Sequence, residues 1–239
     1  MRRSRTVIAA AAALLLLAAA GARAQTADEI VAKNLKAKGG VEALSSTNTL
    51  KISGTMTTQG VETQMTTWAK RPNLKRNEID AMGQKVIQGF DGTSGWMAMG
   101  AMPPQPIPQN PALKQQAEFD SVFLNYKALG RSIELVGKEA LDGKDVYHLK
   151  VTSKDGPVMD YYLDAETGLE RKFVATVEGP GGVKQQVENR FDDFKAVDGR
   201  TMPHTIRTLA NGKEVAVMKI QKVEFNIPID DAIFRMPAK

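Results

Sequence analysis

The chain has 239 residues, 42% of them hydrophobic and 25% charged, with a formal net charge of +5 and no cysteine. This is a globular composition rather than a disordered one, and the absence of Cys excludes a disulfide scaffold, a Cys-ligated zinc site and an iron–sulfur cluster. Only two histidines occur, His148 and His204, 56 positions apart, so neither a His-rich metal site nor any cofactor is expected.

Residues 1–24 read as a cleaved signal peptide. Arg2, Arg3 and Arg5 form a basic start, residues 7–20 are an Ala/Leu run, and Ala22-Arg23-Ala24 supplies the small-x-small pattern before Gln25. The apolar run is shorter than the ~20 residues needed to span a bilayer. Its removal takes away four Arg and no acid, leaving 28 basic and 27 acidic residues, a net of +1. A basic nucleic-acid footprint is therefore not supported. With no Cys after the run, a lipidated N-terminus is not expected either.

Residues 25–239 are expected to form a single domain that opens with one helix. Thr26-Ala27-Asp28-Glu29 is a capping box, Ile30, Val31, Leu35 and Ala37 follow at helical spacing, and Gly39-Gly40 stops the helix. Residues 41–44 have room for one more turn. After Asn48 the period becomes two, with Leu50, Ile52, Gly54 and Met56 alternating with Lys51, Ser53, Thr55 and Thr57. Further strands are predicted over 61–68, 74–79, 85–90, 95–99, 132–138, 145–152, 158–163, 169–177, 183–194, 204–210 and 214–225. Asp91-Gly92, Asp142-Gly143, Asp155-Gly156, Asp198-Gly199 and Asn211-Gly212 mark turns that accept positive φ. Such regular spacing predicts a mainly β (α+β) fold: a curved antiparallel half-barrel of about 11–12 strands, since that many cannot stay flat without an aggregation-prone edge.

One stretch interrupts the strands. Residues 102–111 contain five prolines, which cannot pair in a sheet centre. Residues 112–129 then have Phe119, Val122, Phe123, Tyr126 and Leu129 on roughly one helical face. Residues 101–130 thus read as a Pro-rich loop plus a helix, which either caps the sheet as a lid or packs on it as core; the apolar pattern suits both.

A search for catalytic chemistry finds none. Gly92-Thr93-Ser94-Gly95 lacks the spacing of a nucleophile elbow. Asp192-Asp193 and Asp230-Asp231 are neighbours that solvate singly, the two histidines sit in strand patterns, and no Gly-rich loop opens a helix. No enzymatic activity is expected. Ten methionines follow Met1, with Met97, Met99 and Met102 clustered; flexible thioethers suit irregular apolar partners, as well as plain core filling.

Trp68-Ala-Lys-Arg-Pro-Asn-Leu74, followed by Phe90-Asp-Gly-Thr-Ser-Gly-Trp96 and by Asp231-Ala-Ile-Phe-Arg-Met-Pro237 near the end, resembles the periplasmic carriers of outer-membrane lipoproteins, the LolA-like family. The resemblance implies a half-open barrel closed by a helical lid over an apolar cavity in a monomeric periplasmic chaperone of a Gram-negative bacterium. By the same resemblance the cargo is lipoprotein acyl chains or another lipid, taken from an inner-membrane ABC transporter to an outer-membrane receptor. Arg71 falls on the arginine that latches the lid in that family. The candidate cavity residues are Ile52, Met56, Trp68, Leu74, Trp96, Met97, Met99, Phe119 and Phe123, with either sheet face open to be the inner one. The alternatives are a periplasmic sensor or interaction module on the same barrel, expected to have a filled core beneath Phe119 and Phe123, and a secreted hydrolase that lacks a visible acid–base pair. The chain departs from the carrier pattern at Gly39-Gly40 and in the long Pro-rich loop.

Overall fold

A short N-terminal pair of helices sets the entry to the sheet. In the computed structural model, which describes residues 25–81, 83–108, 114, 117–153, 158–178 and 183–237, α1 (Ala27–Ala37) starts at the capping box read from sequence. The Thr26 hydroxyl accepts from the Glu29 amide at 3.2 Å, and the Glu29 carboxylate accepts from the Thr26 amide at 2.8 Å. Gly39 then takes a φ of +119°, where a Cβ would lie 2.4 Å from the Gly199 carbonyl oxygen, so no side chain fits. The chain turns directly into α2 (Gly40–Ser45).

Thirteen antiparallel strands follow in one sheet: β1 (Thr49–Thr58), β2 (Val61–Lys70), β3 (Leu74–Ala81), β4 (Gln84–Asp91), β5 (Gly95–Met99), β6 (Gln105–Ile107), β7 (Ser132–Leu141), β8 (Lys144–Thr152), β9 (Met159–Asp164), β10 (Glu170–Glu178), β11 (Lys184–Val197), β12 (Arg200–Ala210) and β13 (Lys213–Phe225). Their spatial order is β6-β5-β4-β3-β2-β1-β13-β12-β11-β10-β9-β8-β7. The chain enters at the middle, meanders to one edge, crosses to the other and meanders back beside β1. The sheet does not close, as a half-barrel requires.

The count exceeds the expected 11–12 because the Pro-rich stretch itself contributes β6. Pro106 is tolerated there because β6 is an edge strand, paired only with β5. Of the lid helix expected over 112–129, residue 114 is helical and the described residues 117–130 are not. Residues 122–130 are successive turns, closed by Leu124 N–H to Ser121 C=O at 2.9 Å and Gly130 N–H to Lys127 C=O at 3.0 Å, and Asn125 sits at φ +57°. A left-handed residue there is incompatible with a continuing right-handed helix; residues 112, 113, 115 and 116 lie outside the described residues. The topology still demands a crossing, because the connection from β6 to β7 must traverse the whole width of the sheet.

One face of the sheet runs unbroken through both meanders. Met56, Met218, Ile206 and Phe191 are successive cross-strand partners, and two residues along β11 Asn189 stands opposite Phe173 of β10. Over β8–β10 this face is filled: Ile30, Val31 and Leu35 of α1 and Phe123 and Leu124 of the crossing segment pack on Leu149, Val151, Met159, Leu163 and Ala175. Over β1–β4, β12 and β13 it is not.

Candidate functional site

The unfilled half of the inner face encloses a cavity of about 440 Å³, within the usual range of small-ligand pockets. Strand alternation builds it: Ile52 and Met56 on β1, Met65 on β2, Ile79 on β3, Val86 on β4, Ile206 on β12 and Met218 and Ile220 on β13 all point inward. A bulge between Ser53 and Gly54 lets β1 approach β13 closely; a Cβ on Gly54 would meet the Lys219 carbonyl oxygen at 2.0 Å.

A second cavity of about 270 Å³ adjoins the first through Met202, which lines both. It lies where the sheet splits. Residues 200–203 of β12 pair only with β11, and Ile220 and residues 222–225 of β13 pair only with β1. The gap is roofed by Leu44 of α2 and by Phe119, Asp120, Ser121 and Leu124 of the crossing segment.

Two arginines tie this roof down. The Arg71 guanidinium donates to Thr47 C=O at 2.6 Å, Leu44 C=O at 2.9 Å and the Asp120 carboxylate at 2.5 Å, and lies 5.0 Å from the Phe119 ring centre. It thereby joins the end of α2 to the crossing segment. Arg200 donates to Ala43 C=O and the Thr47 hydroxyl at 2.8 and 2.7 Å. Between them they satisfy carbonyls that the end of a helix leaves open. Charged hydrogen bonds of this kind contribute roughly 1.5–3 kcal/mol each.

The crossing segment has two more anchors. Arg131, nearly buried, pairs with Glu118, and Asp28 at the start of α1 accepts from the Tyr126 hydroxyl and, at 2.5 Å, from Lys127. Hydrogen bonds from Lys127 first, then Tyr126, hold the Asp28 carboxyl below the ordinary carboxylate range. A lowered folded-state pKa stabilises above the unfolded value and is lost as pH falls through the folded one. Protection of the amides of residues 122–130, measured against their intrinsic exchange rates, is therefore expected to fall on acidification below the ordinary carboxylate range, and to lose that pH-dependent component in Asp28→Asn.

The candidate residues separate by face. Ile52 and Met56 line the main cavity and Phe119 the second. Met97 and Met99 stand opposite Gln88 and Val86, on the cavity's side of the sheet, but near the edge and 43% and 40% exposed. Phe123 is instead a core residue, 1% exposed, edge-on to Tyr161 at 5.0 Å. Trp68, Leu74 and Trp96 lie on the opposite face, since each is one position out of step with an inward residue (Thr67, Lys75 and Met97). Trp96 is pinned there by its indole N–H, which donates to Phe234 C=O at 2.7 Å in the 3₁₀ turn Asp231–Phe234. Sequence reading missed Met65, Ile79, Val86, Met202, Ile206, Met218 and Ile220. The Gln59-Gly60 turn contained the signal for one of them: it sets Met56 opposite Thr63 and hence Gly54 opposite Met65; Met65 stands opposite Ile79, which faces Val86, through the registers of the next two hairpins. The core beneath Phe123 is filled, whereas Phe119 borders open space.

Lys75 also lines the main cavity, and burial pushes its ammonium pKa down. His148, on the outer face, bridges Glu139 at 2.8 Å and Asp160 at 2.7 Å and stacks on Tyr162. Among the described residues no group of three or more His, Asp or Glu is placed to hold a metal ion, and no helix is long and apolar enough to cross a membrane.

These features define a LolA-like fold: an open, curved antiparallel sheet with a hollow inner face and a segment strapped across it. No protein-family model and no curated protein matches the sequence. Among solved structures, the chain is similar to a LolA superfamily protein from Nitrosomonas europaea (15% identity, 89% of this chain and 98% of that one, TM-score 0.58). It is similar to a DUF1329 family protein from Desulfovibrio piger (13%, 88% and 98%, TM-score 0.61) and to an outer membrane lipoprotein-sorting protein domain from Vibrio parahaemolyticus (12%, 87% and 95%, TM-score 0.60).

Proposed function

We propose that the chain is an exported, non-enzymatic carrier that shields the acyl chains of a lipoprotein, or of another lipid, within this cavity during passage across the periplasm. The single observation that supports it most is the unequal filling of one continuous face: protein side chains occupy the β8–β10 half and leave a methionine- and isoleucine-lined hollow in the other. The likeness to a lipoprotein-sorting domain supports the same reading. Burial of acyl CH₂ groups is worth about 0.8 kcal/mol each, so a dozen methylenes supply on the order of 10 kcal/mol of shielding. Methionine-rich walls adapt to chains of different shape.

Arg71 serves as the latch in this reading. It holds the roof segment to α2, and its release opens the split between β12 and β13 to cargo. Loading from an inner-membrane ABC transporter and delivery to an outer-membrane receptor, by a monomer, complete the proposal. Protein purified after export from a Gram-negative host is expected to retain co-purifying acyl lipid in native mass spectrometry and to bind a fluorescent acyl probe that excess lipid displaces. Absence of both signals refutes the carrier reading.

A further inference from the structure

Met202 stands between the two hollows. It lines both, and it lies three residues before Thr205, where the pairing of β12 with β13 begins. Among the described residues none of β13 stands opposite it. At this point the two cavities are therefore parted by a half-buried, unbranched thioether rather than by a ladder of backbone hydrogen bonds. Such a side chain is flexible and adapts to what it touches. The second cavity is suited to hydrocarbon. Leu44, Leu50, Phe119, Leu124 and Phe225 line it, and its charged side chains are already engaged. Lys38 pairs with Glu170 at 2.8 Å, Arg200 donates to Thr47, Ala43 and Asp198, and Asp120 accepts from Arg71. Groups that keep these partners lose little when apolar material fills the space beside them.

Size gives the division a consequence. The main cavity, about 440 Å³, is near the lower end of the ~300–1,000 Å³ range of ligand pockets, and the second, about 270 Å³, falls below it. A long acyl chain gains from both, since each buried methylene raises affinity about fourfold. We infer that the two hollows form one seat divided by Met202. A short chain occupies the main cavity alone, whereas a long chain turns the thioether aside and runs its end beneath Phe119 and Leu124. Met202 thereby grades the cargo by chain length, and the roof that Arg71 latches covers the end of long chains only. This rests on the carrier reading above and narrows it from acyl chains in general to chains long enough to fill both hollows.

The test compares octanoate, dodecanoate and hexadecanoate, each below its critical micelle concentration, as competitors of a fluorescent acyl probe on the exported chain. Binding is expected to tighten along the series, hexadecanoate exceeding octanoate by about a hundredfold or more. Two substitutions then close the passage from different strands. Met202→Trp blocks it on β12, and Leu50→Trp fills the second cavity from β1. Each is expected to lower the hexadecanoate-to-octanoate ratio at least tenfold, the equivalent of about two methylenes turned out of the seat, while octanoate binding persists and reports an intact main cavity. A variant that loses octanoate as well is replaced by its smaller counterpart, Met202→Phe or Leu50→Phe, and read in the same way. No gain from octanoate to hexadecanoate in the unaltered chain, or a ratio unchanged in either variant, overturns the divided seat and leaves the carrier reading standing. Failure of every chain to displace the probe, or of the probe to bind, overturns both.

Discussion

Trp96→Ala is expected to lower the free energy of unfolding by about 3–5 kcal/mol, the cost of truncating a large core aromatic, while leaving acyl-probe binding intact below the unfolding transition. The indole is 1% exposed, donates to Phe234 C=O, and lies against Gly89, where a Cβ would stand 2.2 Å from the ring. Arg76 packs on its face at 5.5 Å and itself donates to Ile233 C=O at 2.7 Å. Truncation thus removes the platform on which the C-terminal turn rests and uncovers Phe234, which is fully buried. Urea denaturation measures the loss, and the probe measures the site. A loss below about 1.5 kcal/mol, less than the range for large core truncations, would contradict this packing, and a parallel loss of binding would contradict its placement on the face away from the cavity.

Arg71→Leu is expected to cost about 2–4 kcal/mol, because it leaves the Leu44 and Thr47 carbonyls and the Asp120 carboxylate without their charged donor. The cost should concentrate in one place. Amides of residues 117–130 and of α2 are expected to exchange faster, while the β8–β10 core keeps its protection. A double-mutant cycle with Asp120→Asn should show a coupling of about 0.5–3 kcal/mol, since the two side chains are in contact. The same variant should release bound acyl probe faster, as a loosened roof opens the split beside Met202. Unchanged exchange across residues 117–130 would remove Arg71 from the role of latch.

How much of this was legible in advance differs by element. The start of α1 was readable because a capping box is local chemistry: Thr26 and Glu29 satisfy each other whatever the rest of the chain does. The hairpins were readable because Asp-Gly and Asn-Gly pairs accept the positive φ observed at Asp142, Asp198 and Asn211 and at the glycines that follow. β6 was hidden because an edge strand of three residues with Pro106 at its centre has no propensity signal, and only its place beside β5 permits it. The crossing segment misled because an apolar stripe at helical spacing also arises when a chain of turns inserts Phe123 and Leu124 into a neighbour's core.

The site divides along the same line. Composition, alternation and turn chemistry were enough to establish a β-rich chain, its helix and most of its strands, since each depends on groups a few residues apart. Which face of the strands is hollow was decided only in three dimensions. Alternation is symmetric, so Ile52 and Trp68 read alike until β13 pairs with β1 and the C-terminal turn covers Trp96. Likewise the volume left between Met56, Ile206 and Met218 depends on side chains from strands about 150 residues apart in sequence, and on how far α1 and the crossing segment reach across the sheet. Close packing is a property of the assembled surface, and no local pattern encodes where it stops short.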